Sequence, residues 1–359
     1  MVNKMRVAVL FGGQSGEHEV SLISASSVIN HLDKNKYEIY FLGITKGGQW
    51  KYFEGDAKRI QDGSWEADAR PAVFPGDPSF GGFFLTEAPD RIYKVDMVFP
   101  VLHGPRGEDG TVQGLLELSG IPYVGCGVLA SSTGMDKAAS KAIFRSLGLP
   151  QGEYVSVLME DWKENSRAVA ELVEGSFGYP CFVKPANMGS SVGISKARSR
   201  EELAAAMEYA GRYDSKIIIE ALIDCREIEC AVLGNNRPKA SVLGEIIPSK
   251  EFYDYEAKYN DGGSSRLLVP AVVDKDKAEE IRDLAVRAYR ALCCSGLSRV
   301  DFFMEKGTGR VYINEVNTLP GFTSISMYPK LWEASGIPYG ELLDTLIELA
   351  LESYKVKRR

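Results

Sequence analysis

The chain has 359 residues, of which 45% are hydrophobic and 25% charged, a composition typical of a globular protein with room for two or three cores. A net charge of −7 and a pI of about 5.3 give no electrostatic support to nucleic-acid binding. The apolar run VAVLF near the N-terminus is too short for a signal segment, and no later run reaches membrane length. We therefore expect a cytoplasmic protein that binds neither nucleic acid nor membranes.

The cysteine pattern argues against a zinc site or a disulfide framework. Six cysteines are spread along the chain without a C-x-x-C pair, and only three histidines accompany them. We expect reduced thiols that serve as small apolar residues.

Strand-like and helix-like segments alternate in the first third of the chain. The order is MRVAVLF, a helix over 21–32, YEIYFLGI, VDMVFPVL and a helix over 110–119. This βαβα alternation predicts an α/β domain with a parallel sheet. Between about 54 and 92 the pattern gives way to Gly, Pro, Asp and aromatic residues, and we interpret that stretch as an extended connector.

The remainder predicts two further units with mixed α+β elements. Residues 120–150 cross between domains and contain a helix that stops at Gly148. The second unit has strands CFVKP, GISKA and KIIIEAL and a helix over 199–210. The third has EIECAVLG, a polar loop, a helix over 275–293 and a terminal helix. We place the domains at 1–126, 127–224 and 225–359.

A β-hairpin is predicted where SRVDFFME and VYINEVN flank the turn-rich KGTGR. We close the loop with Glu305 opposite Val311. The pairs are then Phe303 with Ile313, Asp301 with Glu315, and Arg299 with Asn317. Because side chains alternate along a strand, Arg299, Asp301, Glu315 and Asn317 share one face.

Two carboxylates directly opposite each other repel, so a cation is expected between Asp301 and Glu315. Mg²⁺ fits, because it takes oxygen ligands from one or two carboxylates, water and phosphate. A salt bridge with Arg299 or a solvated polar face explains the pattern equally well. Gly321, in the Pro-Gly turn that follows, lets its N–H approach a ligand, although such a turn more often merely ends a strand.

Phosphate binding is favoured in VKPANMGSSVG, although no G-x-x-x-x-G-K-[ST] loop occurs. A strand carries Lys184, and Gly189 and Gly193 free a backbone whose N–H groups can line an anion, beside Ser190 and Ser191. Glu220 ends the apolar KIIIEAL, which we interpret as an edge segment that could meet an adenine or a ribose. A plain turn and a strand that simply reaches solvent remain the alternatives.

These stretches occur in a fixed order that resembles the D-alanine–D-alanine ligase family of the ATP-grasp superfamily. The matching pieces span almost the whole chain: LFGGQSGEHEVSLISA, LHGPRGEDGTVQG, MDKAASK, VKPANMGSSVG, REIECAVLG, FYDYEAKY, RVDFF and NEVNTLPGFTS. The resemblance implies a three-domain ATP-grasp fold with an N-terminal parallel sheet. It also implies ATP-dependent joining of two D-alanines through an acyl phosphate, for peptidoglycan precursor synthesis.

The resemblance further implies two Mg²⁺ ions, which Mn²⁺ can replace, and a homodimer. Nucleotide ligands would be Lys137 and Lys184 on the phosphates, Ser190 and Ser191 in the phosphate loop, Phe182 and Phe303 beside the adenine, Glu220 and Leu222 at the hinge, and Glu227 on the ribose. Metal ligands would be Asp301, Glu315 and Asn317.

Substrate and catalytic residues follow from the same resemblance. Glu17 would receive the ammonium of the first D-alanine; it precedes a helix, whose N-terminus keeps a carboxylate ionised. His103 would lie near the carboxylate of the first D-alanine, and Ser326 with the Met327 N–H would bind the carboxylate of the second. Ser190 and Tyr259 would hydrogen-bond with Glu17 and close an ω-loop at about 248–266, whose Lys258 would reach the transferred phosphate. Arg299 and the Gly321 N–H would stabilise the oxyanion.

Other functions are less well supported but stay open. Relatives with this fold use D-serine or D-lactate as the second substrate, and other ATP-grasp enzymes join different carboxylates and amines. A nucleotide-binding protein without catalysis would be expected to lack Arg299, a metal carboxylate or the ω-loop. A nicotinamide oxidoreductase would respond to NADH rather than to Mg-ATP.

Overall fold

A computed structural model describes residues 4–189, 192–247 and 266–357. Its first seven strands are β1 (Met5–Gly12), β2 (Tyr37–Ile44), β3 (Trp50–Phe53), β4 (Arg70–Val73), β5 (Gly82–Leu85), β6 (Ala88–Lys94) and β7 (Met97–Leu102). They form one sheet in the order β6-β5-β4-β3-β2-β1-β7. Strand β1 runs parallel to β2 and β7, as predicted. Helices α1 (His18–His31), α2 (Ala57–Gln61) and α3 (Thr111–Ser119) accompany this N-terminal sheet.

The interpretation of 54–92 as an extended connector was wrong. Strands β4 to β6 lie there with α2 and a short 3₁₀ helix (Ser64–Ala67), and they extend the sheet antiparallel. Aromatic packing holds these short strands, since the Phe83 and Tyr93 rings stack 4.9 Å apart and Tyr52 lies 5.2 Å from Phe83. Strands β4 and β5 have only four residues each, so alternation has little length in which to appear.

The middle of the chain forms a second, antiparallel sheet. The elements are α4 (Val128–Met135), α5 (Lys137–Ser146), β8 (Tyr154–Leu158), α6 (Met159–Ser176), β9 (Cys181–Pro185), β10 (Ser195–Ala197), α7 (Arg200–Ala210) and β11 (Lys216–Ala221). The order of this central sheet is β10-β9-β11-β8. Strand β11 therefore lies inside the sheet, so its prediction as an edge segment was wrong. The predictions also missed β8 and α6.

The last third forms a five-stranded sheet with helices against it. Its elements are β12 (Cys225–Leu233), β13 (Lys239–Ile247), β14 (Arg266–Leu268), α8 (Lys275–Ala291), β15 (Leu297–Glu305), β16 (Val311–Asn317), α9 (Met327–Ala334) and α10 (Tyr339–Lys357). The order of this C-terminal sheet is β14-β13-β12-β15-β16. The predicted helix over 275–293 is confirmed as α8, where the Asp274 side chain accepts from the Asp276 N–H.

Some apolar cores join different parts of the chain, and one is confined to the central sheet and its helices. One core joins the N-terminal sheet to the C-terminal sheet and helices α9 and α10, and another joins α4 and α5 to α8 and the C-terminal sheet. The central sheet with α6 and α7 has a core of its own. Helix α5 is therefore anchored on the C-terminal side while facing the central sheet. Among the described residues, no helix is both long and apolar enough to cross a membrane.

Candidate active site

In the β15–β16 hairpin, the predicted cross-strand pairs that contain the candidate site residues are confirmed. Arg299 lies opposite Asn317, and Asp301 lies opposite Glu315. The pairs nearer the turn were predicted wrongly: Phe303 lies opposite Tyr312, and Met304, not Glu305, lies opposite Val311. A β-bulge between Asp301 and Phe302 leaves Asn314 as an extra residue, which shifts the register by one.

Arg299 is clamped between two carboxylates. Its Nε lies 2.7 Å from Asp301 Oδ1 and 3.0 Å from Glu229 Oε2, while an Nη donates to the other Asp301 oxygen at 2.7 Å. Burial lowers the pKa of Arg299, but the two carboxylates raise it more, so the pKa lies well above its usual value. The guanidinium is a fixed positive charge on the hairpin.

Glu315 is held from the other side by Lys137, the first residue of α5. Lys137 Nζ lies 3.5 Å from Glu315 Oε2 and donates to the Met188 carbonyl at 2.7 Å. The two hairpin acids are thus neutralised by cationic side chains, as in the salt-bridge alternative. The described residues contain no cluster of three or more His, Cys, Asp and Glu that could hold a metal.

The donor set nevertheless fits a hard cation. Asp301 and Glu315 are directly opposed, and Asn317 Oδ1, which accepts from the Leu319 N–H at 3.1 Å, retains a second lone pair. These are the carboxylate and amide oxygens that Mg²⁺ takes, with the remaining positions left for water and phosphate. Metal ligation by these three residues stays a prediction.

Glu220 is shared by two lysines at the seam between α5 and the central sheet. Its Oε1 lies 3.0 Å from Lys141 Nζ, and its Oε2 accepts from Lys184 Nζ at 2.5 Å. Burial raises the pKa of Glu220, but the two ammonium groups lower it far more, so the carboxylate is ionised. Burial likewise lowers the pKa of Lys184, and Glu220 raises it above its usual value.

The residues predicted around the adenine and ribose lie on the central and C-terminal sheets. Phe182 is opposite Glu220 across β9 and β11, and Phe303 is opposite Glu227 across β15 and β12. The Leu222 N–H donates to the Pro180 carbonyl at 3.4 Å. Their assignment to a nucleotide stays a prediction.

Glu17 occupies the position just before α1, as the sequence predicted. Its side chain is buried against two glycines from different parts of the chain. A Cβ on Gly104 would lie 2.8 Å from Glu17 Oε2, and a Cβ on Gly189 would lie 2.7 Å from the same atom. The phosphate-loop segment of the central sheet therefore reaches the N-terminal domain here. Ser190, Ser191, Lys258 and Tyr259 lie outside the described residues.

His103 is buried between Glu108 and Ser24. Its Nδ1 lies 3.8 Å from Glu108 Oε1, and its Nε2 lies 3.3 Å from Ser24 Oγ. Burial lowers the pKa of His103, but the Glu108 carboxylate and the more distant Glu17 raise it more, so the net shift is upward. Burial raises the pKa of Glu108. The pair lies within the predicted substrate pocket, and the raised pKa of His103 favours the protonated imidazole.

The Pro-Gly turn approaches the same pocket from the C-terminal side. The Phe322 N–H donates to Ser24 Oγ at 3.3 Å, and the Thr323 N–H donates to Ser326 Oγ at 3.0 Å. A Cβ on Gly321 would lie 2.9 Å from Ser326 Oγ, so a side chain there would disturb the turn. Ser326 is at the N-cap position of α9, where its side chain makes no capping hydrogen bond, and Met327 is the first residue of the helix. The first backbone N–H groups of a helix have no partner within it.

The structure adds residues that the sequence reasoning missed. Lys141, Glu229, Glu108 and Ser24 each contact a predicted site residue. Two of them carry a signal in the sequence, because Lys141 follows Lys137 by one helical turn and Glu108 lies in the matched HGPRGEDG motif.

Comparisons with known proteins match most of the chain to one family. A family model described as D-ala D-ala ligase N-terminus matches residues 6–126, and one described as D-ala D-ala ligase C-terminus matches residues 143–348. Among curated proteins, D-alanine--D-alanine ligase from Thermoanaerobacter sp. (strain X514) is 56% identical over 100% of this chain and 99% of its own. The enzyme of that name from Ruminiclostridium cellulolyticum is 53% identical over 100% and 98%.

Solved structures show the same overall fold. VanG D-Ala:D-Ser ligase from Enterococcus faecalis is 41% identical, with a TM-score of 0.88 over 97% of this chain and 100% of its own. The D-alanine-D-alanine ligase from Coxiella burnetii is 37% identical, with a TM-score of 0.87 over 99% and 96%. The chain has the ATP-grasp fold and belongs to the D-ala D-ala ligase family.

Proposed function

We propose that the chain joins two D-alanines at the expense of ATP, giving D-alanyl-D-alanine for peptidoglycan precursor synthesis. The observation that carries this is the contact between Lys137, a predicted phosphate ligand, and Glu315, a predicted metal ligand, at 3.5 Å. It joins a predicted phosphate-binding cation to a predicted magnesium-binding oxygen at the N-terminal end of α5. The family membership and the relatives' names support the substrate assignment.

The nucleotide would lie between the central and C-terminal sheets. Lys137 and Lys184 bind its phosphates, with Ser190 and Ser191 from the phosphate loop. Phe182 and Phe303 flank the adenine, Glu220 and Leu222 form the hinge, and Glu227 binds the ribose. Asp301, Glu315 and Asn317 would hold two Mg²⁺ ions, or Mn²⁺ in their place, which neutralise charge on the transferred phosphate.

The reaction has two displacements in which every atom is accounted for. A carboxylate oxygen of the first D-alanine attacks the γ-phosphorus and ADP leaves, giving an acyl phosphate. The amine of the second D-alanine, after losing a proton, attacks the acyl carbon to form a tetrahedral intermediate. Phosphate then departs with the original carboxylate oxygen. Arg299 and the Gly321 N–H stabilise the oxyanion, and Lys258 binds the transferred phosphate.

The two amino acids would occupy the pocket between Glu17 and α9. Glu17 receives the first ammonium, and His103 attracts the first carboxylate. Ser326 and the Met327 N–H hold the second carboxylate. Closure by the ω-loop through Tyr259 and Ser190 would exclude water from the acyl phosphate.

Further aspects of the proposal concern organisation and location. We divide the chain into domains at 1–126, 127–224 and 225–359. A homodimer is supported by exposed Leu118, Val128 and Leu129 on the contacting helices α3 and α4. The cytoplasm is supported by the free cysteines and by the need for ATP.

Phosphate release with ATP, Mg²⁺ and D-alanine tests the proposal, with the product identified by mass. We expect D-alanine-dependent phosphate release and D-alanyl-D-alanine in equal amounts. Phosphate release that is independent of D-alanine, or a fluorescence response to NADH alone, would overturn it.

A D-alanine–D-serine ligase is a second candidate, favoured by the similarity to VanG D-Ala:D-Ser ligase at a TM-score of 0.88. Competition between D-alanine, D-serine and D-lactate for the second position distinguishes the candidates. Predominant D-alanyl-D-serine at equal concentrations would replace the first proposal with the second.

A further inference from the structure

Glu220 has more positive charge around it than one carboxylate requires. Lys141 and Lys184 both reach it, at 3.0 and 2.5 Å. Lys141 and Glu220 are each more than nine-tenths buried, at 3% and 6% exposed. A buried carboxylate needs one close cation to remain ionised, so the second ammonium calls for another explanation.

The two lysines are held differently. Lys184 stands on β9, beside the phosphate loop, and its side chain is 12% exposed. Lys141 stands on α5, which is anchored in the C-terminal core through Phe144. Its ammonium lies 5.7 Å from the centre of the Tyr154 ring. Lys141 is thus confined to the interior, whereas Lys184 keeps a small exposed area next to the phosphate loop.

We propose that Lys141 is a positioning residue that keeps Glu220 neutralised when Lys184 turns from Glu220 to the nucleotide phosphates. The inference rests on the proposed function, in which Lys184 binds phosphate. Without Lys141, nucleotide binding would leave a buried carboxylate without a counter-charge, and this cost would fall on the bound state alone. In the free protein the Lys184–Glu220 pair would persist.

The charges on the neighbouring side chains agree with this arrangement. Glu315 and Glu227 also attract Lys184 and help to raise its pKa, so negative charge surrounds this lysine on more than one side. Lys137 is already held by the Met188 carbonyl and Glu315 and does not contact Glu220 in the described structure. Lys141 is therefore the cation that can remain with Glu220.

The test compares Lys141→Met with Lys141→Arg and with Arg200→Met as a matched control. Arg200 pairs with Glu174 at 2.5 Å between α6 and α7, away from the seam. Calorimetry would measure the affinity for Mg²⁺ and a non-hydrolysable ATP analogue, and kinetics would give KM for ATP and kcat separately. Thermal unfolding without nucleotide would report stability.

We expect Lys141→Met to weaken analogue binding by at least about tenfold and to raise KM for ATP by a similar factor, with kcat changed much less. Lys141→Arg should restore most of the affinity, and Arg200→Met should bind as the wild type does. A lowered unfolding temperature with unchanged affinity in Lys141→Met would overturn the inference, since a purely structural role predicts that result.

The double variant Glu220→Gln/Lys141→Met keeps the inference testable if Lys141→Met alone does not fold. With Glu220 uncharged, adding Lys141→Met should change analogue affinity by less than about threefold. A tenfold loss in that background would mean that Lys141 acts independently of Glu220, and the inference would fail. If the wild type neither binds the analogue nor releases phosphate with D-alanine, the proposed function fails first.

Discussion

Two joints meet at the candidate site, one between the N-terminal and C-terminal sheets and one between α5 and the central sheet. They are built differently. The N-terminal and C-terminal sheets share one apolar core, in which the rings of Phe99 and Phe322 lie 6.2 Å apart. The central sheet meets α5 through polar contacts, such as Lys216 with Asp136 at 2.5 Å and Lys141 with Glu220 at 3.0 Å. Its core is separate.

This difference matches what each joint is proposed to do. A close-packed apolar joint allows one arrangement, because any displacement opens voids. It suits the predicted pocket of Glu17, His103 and Ser326, where small substrates would have to be placed accurately. Ion pairs can exchange partners with an incoming phosphate or metal, so the polar seam suits the nucleotide. The following changes break one joint at a time.

Glu315→Gln should have the largest effect, because it removes the charge of a predicted metal ligand that contacts Lys137 at the start of α5. We expect kcat/KM to fall by about 100-fold or more. Mutating even a residue that only orients a metal ligand typically lowers metal affinity or activity by about 10- to 100-fold. Steady-state kinetics with a circular-dichroism check of the fold measures this. Glu305→Gln, at the end of the neighbouring strand β15, should stay near wild-type activity. Near-normal turnover of Glu315→Gln would remove it from the metal site.

Core truncations compare the joints directly. Leu203→Ala in the central core and Leu346→Ala in the shared core should each cost about 2–5 kcal/mol of stability, because both side chains are fully buried. Hydrogen exchange should accelerate only in the central sheet, α6 and α7 for Leu203→Ala. For Leu346→Ala, hydrogen exchange should accelerate in both the N-terminal and the C-terminal sheet. Acceleration throughout the chain in both variants would contradict separate cores.

Gly189→Ala should separate the phosphate-loop segment from the N-terminal domain. The added Cβ would lie 2.7 Å from Glu17 Oε2, which forces one of them to move. We expect kcat/KM for D-alanine to fall by about 10- to 100-fold, as for other small misplacements. Gly175→Ala, which meets open space, is the control for adding a methyl group. Equal activity of the two variants would argue against a functional contact at Glu17.

Glu108→Gln should change the pH dependence of KM for D-alanine more than it changes the turnover rate. Burial lowers the pKa of His103 and Glu108 raises it, with a net upward shift. A raised pKa keeps the imidazolium charged to higher pH, where it can still attract a carboxylate. Without the Glu108 charge the pKa of His103 falls, so the increase in KM for D-alanine that accompanies loss of the His103 proton should occur at lower pH. An unchanged profile, or a move to higher pH, would contradict this pairing.

Lys216→Met should have the smallest effect. Its pair with Asp136 crosses the seam, but the lysine side chain is 34% exposed and solvent screens the interaction. We expect a loss of at most about 1 kcal/mol in chemical unfolding. A loss of several kcal/mol would mean that this single ion pair holds the central sheet in place.

The predictable features were those with strong local patterns. The parallel β1–β2–β7 core, α8 and the Asp301–Glu315 pairing follow from alternation and turn chemistry. The bulge at Asn314 and the aromatic strands β4 to β6 do not, because tertiary packing stabilises them. Lys141 was missed because a lysine on an amphipathic helix usually points to solvent, and only the fold places Glu220 beside it.

The most direct test of the central claim follows the carboxylate oxygen. Turnover with ATP, Mg²⁺ and D-alanine labelled with ¹⁸O in its carboxylate should release phosphate that carries one labelled oxygen, detected by mass spectrometry. This is expected because that oxygen bonds to the γ-phosphorus and stays with it when the amine displaces phosphate. Phosphate without label, formed while dipeptide accumulates, would show that no acyl phosphate forms and would contradict the account.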